Sequence, residues 1–423
     1  MKKSLFAFIL ITSLFFMWGL ANNMTDTLLA AFKRILSLTD FQTSFVQSAF
    51  YGAYFCLAIP AAILIKKFSY KTGILSGLGL FILGSLLFYP ASITMEYSHF
   101  LVALFILAGG LSILETAANP YILELGPPET ATQRLNLAQS FNPIGSITGG
   151  ILSKYLILSN LDLATDLERR GMDPVELQSI QSKELTAVMG PYVGVAMLLL
   201  VLWLLIAFTN MPKSKDTHEL HFGASLKRLS SNGNYVGAVV AQFFYIGAQI
   251  GIWSFTIRYV MEELRINEDA ASTYYIIALV IFLVFRFVFT YLMKFFEPAK
   301  LLSLLAMLAS GLTLFAILGS GMSGVIALML ISGCMSLMFP TIFGLGLRDV
   351  GEDSKLGGAG LIMAIVGGAV LTALQGQISD MTGSIKIAFT VPLLCFIIVA
   401  IYGHLASRGK HLPKKPAPVR DLV

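Results

Sequence analysis

The chain is constrained first by a rhythm: apolar runs of about 20 residues, each long enough to cross a hydrocarbon core roughly 30 Å thick, recur from the N-terminus to Leu405. A spanning segment must satisfy its own backbone, so runs of this length are read as transmembrane helices. The spans fall at 5–32, 44–66, 73–94, 98–125, 135–158, 187–210, 234–262, 270–293, 300–320, 323–347, 356–379 and 385–406. The expected fold is therefore an all-α membrane protein of twelve transmembrane helices. With 56% hydrophobic and 13% charged residues, no second, soluble class competes. The opening MKKSLFAFILITSLFFMWGLA imitates a secretory leader, but the helical pattern continues through 27–32, so it is read as an uncleaved first span.

An even number of spans puts both termini on one side. The loops on that side hold Lys66, Lys67, Lys71, Lys213, Lys227 and Arg348 among others, about twice as many basic residues as the opposite loops, which places the termini in the cytoplasm. The net charge of +5 is thus topology rather than a patch for nucleic acid. Cys56, Cys334 and Cys395 lie in apolar runs without metal-ligand spacing, so neither a disulfide framework nor a metal site is expected. The five histidines fall at span ends or in loops, leaving no nucleophile with its base in the interior, and the chain is not expected to be an enzyme.

Two polar stretches interrupt the spans. Ser159 to Lys183 reads as an external loop with some amphipathic helix, and the stretch 211–233 as a cytoplasmic linker. The linker divides the chain into an N-terminal six-helix bundle, 1–210, and a C-terminal one, 234–406, followed by a cytoplasmic tail, 407–423. The halves are related as a parallel repeat. Setting Pro120 against Pro340 aligns LETAANPYILELG with CMSLMFPTIFGLG, pairing Thr116 with Ser336 and Gly126 with Gly346 and leaving Glu115 opposite Met335. Gly145, Gly149 and Gly150 in the fifth span and Gly367 and Gly368 in the eleventh suit close helix packing.

Glu115 sits in an otherwise apolar run, and a charge at mid-membrane costs at least about 2.5 kcal/mol, so it demands a polar cavity or a sealed hydrogen bond. Asp26 is a second intramembrane acid, sharing a helix face with Asn22 and Asn23. Further stripes at spacings of three and four comprise Ser112, Glu115 and Asn119; Gln139, Asn142 and Ser146; and Gln242, Tyr245, Gln249 and Trp253. Amides, hydroxyls and carboxylates interleaved with aromatic rings suit a neutral polyhydroxylated ligand, whose hydroxyls donate and accept and whose apolar ring face an indole can cover. Arg286, in the eighth span, is a candidate charge partner for the acids or a tie between helices. Desolvation disfavours the charged form of a buried carboxyl, so Asp26 or Glu115 can exchange protons and couple sugar movement to a proton gradient. No cofactor is expected beyond the proton as coupling ion.

At these residues the chain resembles the L-fucose/proton symporter family of the major facilitator superfamily. The resemblance is carried by NNMTDTLL around Asp26, LETAANPY around Glu115, RLNLAQSFNPIG around Asn142, GAQIGIWSFTIRY in the seventh span and FPTIFGLGLRDVG in the tenth. It implies the major facilitator fold, two pseudo-symmetric six-helix bundles that alternate between outward-open and inward-open states, with Asp26 and Glu115 as the two essential cavity acids. It also puts Gln139 and Asn142 in the sugar cavity, and Asn23 where the family also has Asn. Phe339 departs from the tyrosine of the fucose transporter, which leaves glucose, galactose or N-acetylglucosamine as alternative substrates; a drug/proton antiporter is a further alternative. The expected setting is the bacterial cytoplasmic (inner) membrane, with the protein as a monomer whose partners are a sugar, H+ and the lipid bilayer.

Overall fold

The computed structural model describes residues 2–35, 40–156, 171–212 and 222–408, and every regular element among them is helical. The N-terminal half contains α1 (Lys2–Ile35), α2 (Asp40–Lys67), α3 (Tyr70–Thr94), α4 (Tyr97–Glu124), α5 (Ala131–Gln139), α6 (Phe141–Leu156) and α7 (Pro174–Phe208). A short helix, α8 (Phe222–Ser231), lies in the linker. The C-terminal half contains α9 (Gly233–Leu264), α10 (Glu268–Leu292), α11 (Pro298–Leu318), α12 (Gly321–Met335), α13 (Met338–Gly346), α14 (Ser354–Met363), α15 (Gly367–Thr382), α16 (Ile385–Ala388) and α17 (Thr390–Arg408). Joining α5 to α6, α12 to α13, α14 to α15 and α16 to α17 gives the twelve expected spans.

Four spans expected to be continuous are interrupted, the twelfth at Phe389, and in the other three the cause is local. Pro143 and Pro340 each lack the N–H that would bond the carbonyl four residues back, so the fifth span turns at Ser140 and the tenth at Ser336 and Leu337. The eleventh passes through a 3-10 turn, Ala364–Val366, next to Gly367, which crosses α9 so closely that a Cβ there would strike the carbonyl of Phe243. The sixth span also differs: its helix begins at Pro174 rather than near 187, because Asp173 caps it by accepting from the Val175 amide at 2.9 Å and proline suits the first helical position. The amphipathic helix expected within Ser159 to Lys183 is thus the start of α7, and the part of that loop at 157–170 lies outside the described residues.

The repeat is visible in the packing. In the first half α1 crosses α6, α2 lies on α4, and α3 lies on α7; in the second, α9 crosses α15, α10 lies on α12, and α11 lies on α17. Gly145 brings α6 against α1 so tightly that a Cβ would meet the carbonyl of Phe16, as Gly367 does for α15 and α9. Between the halves, α14 packs on α2 and α4, and α13 and α10 pack on α5.

These contacts favour the end of the molecule that carries α8, here the linker end. Lys66 donates to the carbonyl of Glu352 at 3.0 Å, Gln133 to that of Thr290 at 3.0 Å, and Asn136 to the hydroxyl of Thr341 at 3.1 Å. Lys355 lies over the ring of Tyr70, 5.3 Å from its centroid. The linker helix is fastened there too, through Arg228, which forks onto both carboxylate oxygens of Asp353 at 2.7 Å and reaches Glu352 at 2.8 Å.

Candidate functional site

Glu115 stands nine residues before the end of α4, on the face that meets α2 and α5. Its side chain is 2% exposed. The hydroxyl of Tyr54, from α2, donates to Oε1 at 2.7 Å, while Oε2 is buried without a hydrogen-bond partner. Ser112, one turn earlier, donates to the carbonyl of Tyr54 at 3.0 Å, so α2 and α4 are tied at two levels around the acid. Trp18 of α1 stands against the same Tyr54 hydroxyl. An ionised carboxylate with one bare oxygen in such a place would be costly, and the geometry suits the neutral acid.

One turn on from Glu115, Asn119 is fully buried; its Oδ1 accepts from the Gln139 amide at 2.8 Å and its Nδ2 has no partner. Gln139 closes α5 at the break, and its backbone carbonyl accepts from Arg286 Nη1 at 3.0 Å. Arg286 is 4% exposed, donates through Nε to the carbonyl of Ser336 at 2.5 Å, and lies on the ring of Phe282, 4.8 Å from its centroid. A polar path therefore runs from Asn119, one turn beyond the acid of α4, through Gln139 to the cation of α10.

The C-terminal half supplies a second polar group. Gln242 is fully buried with both amide atoms unpartnered, an arrangement that costs about 1 to 3 kcal/mol per group unless a ligand or water completes it. One turn along α9, the Tyr245 hydroxyl donates to the carbonyl of Met335 at 3.0 Å, so this tyrosine is spent on holding the broken tenth span. Trp253 donates to Ser332 at 3.2 Å and meets Phe282 edge-on, with centroids 5.0 Å apart. Gln249 is half-buried. Phe339 is buried and stacked on Phe343 at 6.3 Å, which keeps its ring within α13.

Several expectations need correction. Of the two readings of Arg286, pairing with Glu115 is not found, whereas a tie between helices is: among the described residues its partners are backbone carbonyls of two other spans and an aromatic face. Glu115 does not line an open chamber in this conformation but is enclosed by α2. The stripe of Gln139, Asn142 and Ser146 does not act as one face, because the break at Ser140 sends Gln139 toward Asn119 and Asn142 toward α1, where it donates to the carbonyl of Phe15 at 3.3 Å. Asn23 is half-buried, with its side-chain oxygen opposite Gly150 of α6. The side chains of Asn22 and Asp26 lie outside the described residues, so the first-span stripe is placed only as backbone within α1.

The structure adds residues the sequence reading passed over. Tyr54 stands in FYGAYF, where a tyrosine among aromatics gives no sign of its partner. Asn136 precedes Gln139 by three in RLNLAQ and could have been found by that spacing; it bonds Thr341 across the halves, and its Oδ1 is unpartnered. Gln375, a lone amide in the eleventh span, is fully buried with both polar atoms unpartnered against Gly251. Among the described residues no group of three or more His, Cys, Asp or Glu could hold a metal.

The sequence pattern of the Major Facilitator Superfamily matches residues 8–363. The L-fucose-proton symporter of Haemophilus influenzae is 41% identical over 417 residues, covering 96% of this chain and 97% of the relative, and that of Escherichia coli is 41% identical over 413 residues, covering 96% and 94%. The glucose/galactose transporter of Brucella abortus is 34% identical over 409 residues, covering 96% and 95%. The crystal structure of the transporter FucP in the outward conformation superposes with a TM-score of 0.91 at 41% identity, over 96% of this chain and 100% of that one.

Proposed function

The chain belongs to the Major Facilitator Superfamily, and we propose that it is a proton-coupled sugar symporter that imports L-fucose or a related hexose by alternating access. The observation that carries the reading is a carboxyl 2% exposed, held by one tyrosine, in a chain alike over nearly its whole length to two L-fucose-proton symporters. Glucose and galactose are the second reading, favoured by the likeness to the Brucella abortus transporter.

In this reading the N-terminal bundle, 1–210, and the C-terminal bundle, 234–406, rock about the linker 211–233, with both termini and the tail 407–423 in the cytoplasm of a bacterial cell bounded by its inner membrane. The linker end is then the cytoplasmic end. The bonds of Lys66, Gln133 and Asn136 across the halves seal that end, which supports an outward-facing state. Proton binding leaves Glu115 neutral and able to stay in its apolar setting, and release requires water to reach it as the halves part on the cytoplasmic side. Asp26 is the second proton site. Asn22, Asn23, Asn119, Gln139, Asn142, Gln242, Gln249 and Trp253 supply amides and an indole to the sugar, while Tyr245 and Phe339 shape the wall. The unpartnered amide atoms of Asn119 and Gln242 support this assignment, since a polyhydroxylated ligand offers them donors and acceptors. The protein acts as a monomer, and the coupling ion is the proton.

The test is uptake of radiolabelled L-fucose into cells, with competition by D-glucose, D-galactose and N-acetylglucosamine at two pH values. Sugar-dependent alkalinisation of a weakly buffered medium is the expected accompaniment. Uptake indifferent to the proton gradient, or none with any hexose, would reject the proposal.

A further inference from the structure

Arg286 is buried at 4% exposure, yet no carboxylate among the described residues forms an ion pair with it. Its two carbonyl partners share a feature of sequence. Gln139 lies four residues before Pro143, and Ser336 lies four residues before Pro340. In a helix each of those carbonyls would accept from the residue four ahead, and proline has no N–H to give. Two spans on opposite halves of the molecule therefore each present one freed carbonyl, and a single guanidinium takes both. Its fork geometry suits two separated acceptors in a way that the point charge of lysine does not.

One of these bonds crosses the molecule, from α10 in the C-terminal half to α5 in the N-terminal half. Its acceptor, Gln139, also holds Asn119, one helical turn from Glu115. Relative movement of the halves has to break or remake the crossing bond, and with it the support of that polar path.

We propose that Arg286 is a positioning residue, a clip between the halves that stabilises the arrangement closed at the linker end by gripping the two carbonyls that Pro143 and Pro340 leave free. This rests on the alternating-access reading above. The clip is released when the halves part, so sugar and proton leave only after the crossing bond to Gln139 is given up.

The test uses the full-length chain with Cys56, Cys334 and Cys395 replaced by Ser and Thr132→Cys as reporter, since Thr132 is buried across the interface against Gly344. Maleimide labelling in membrane vesicles then reads how often the linker end opens. A hydrogen bond to a charged group is strong enough that Arg286→Lys is expected to raise the labelling rate about tenfold. Pro143→Ala returns an N–H to the Gln139 carbonyl, the acceptor of the crossing bond, and is expected to act in the same direction without touching the arginine. Because both substitutions remove the same crossing bond, their combination should exceed Arg286→Lys alone by little. Should either variant fail to reach the membrane, Pro340→Ala loosens the arginine's hold on Ser336 within its own half and is expected to raise the labelling rate by a smaller factor. Labelling unchanged in Arg286→Lys, or effects that simply add, would overturn the clip. Labelling that responds as expected in a chain that carries no hexose with protons would leave the clip standing and reject the functional reading instead.

Discussion

The pairing of α2 with α4 and the pairing of α10 with α12 and α13 occupy equivalent places in the two halves, yet opposite chemistry holds them. In the first, a neutral hydroxyl meets a carboxyl, and α4 runs unbroken through Pro120. In the second, a guanidinium meets a backbone carbonyl, and the helix breaks before Pro340. Met335, which the repeat sets opposite Glu115, contributes only its carbonyl, to Tyr245. A carboxyl can gain or lose a proton without any change of backbone, whereas an arginine stays charged and can only keep or leave its partners. In the proposed mechanism, titration then belongs to one half and mechanical holding to the other.

The sharpest way to break that contrast is Glu115→Gln. It keeps the shape and can still accept from Tyr54, but it cannot carry a proton. Coupled uptake is expected to fall by about two orders of magnitude, the scale on which losing a proton-transferring group is felt. Exchange of labelled for unlabelled sugar, which needs no net proton movement, should survive. Uptake that persists at full gradient would remove Glu115 from the proton path.

A second measurement asks where the halves agree. Gly145 and Gly367 hold equivalent crossings, and a valine at either would push against a backbone carbonyl. Each substitution is expected to cost about 1 to 3 kcal/mol, read as a lower midpoint of thermal unfolding in detergent. A large loss at one site and none at the other would show that the repeat does not extend to these crossings.

Tyr54→Phe removes the partner of Glu115 while leaving the acid. A loss of about 1 kcal/mol in stability is expected, with proton coupling weakened less than by Glu115→Gln. An effect on transport as large as that of Glu115→Gln would mean that Tyr54 itself passes the proton.

The smallest effect separates the two buried glutamines of the C-terminal half. Gln375→Leu replaces an amide with no described partner by an apolar side chain of similar size, and should change stability by less than about 1 kcal/mol, or raise it, with uptake retained. Gln242→Leu should be equally mild for stability but raise the sugar concentration needed for half-maximal uptake. Equal effects on uptake would place both glutamines, or neither, at the sugar.

Much of this was legible along the chain. Apolar length gives the spans, because a bilayer leaves no other solution for the backbone, and the proposed seam between halves rests on the polar stretch at 211–233. Glu115 stands out because a carboxylate in an apolar run is expensive wherever it points. The spacing of Ser112, Glu115 and Asn119 put them on one stripe of α4, and all three are buried, in a stretch where the helix is buried on every side. The stripe through Gln139 and Asn142 misled, since helical spacing holds only while the helix does and Pro143 ends it. The sixth span was cut short because its first turns are polar, although the Asp173 and Pro174 signature for a helix start was there to be read.

Which groups meet was decided only by the folded molecule. Hydrophobic period and charge cost act within one segment, and so composition alone committed this sequence to twelve helices with an acid in the fourth. Arg286 could be seen to need partners, but not that two prolines, 197 positions apart in the numbering, would free them. That pairing is a matter of where α5, α10 and α13 come to lie, and such long-range geometry is fixed by packing between helices rather than by anything a single span contains.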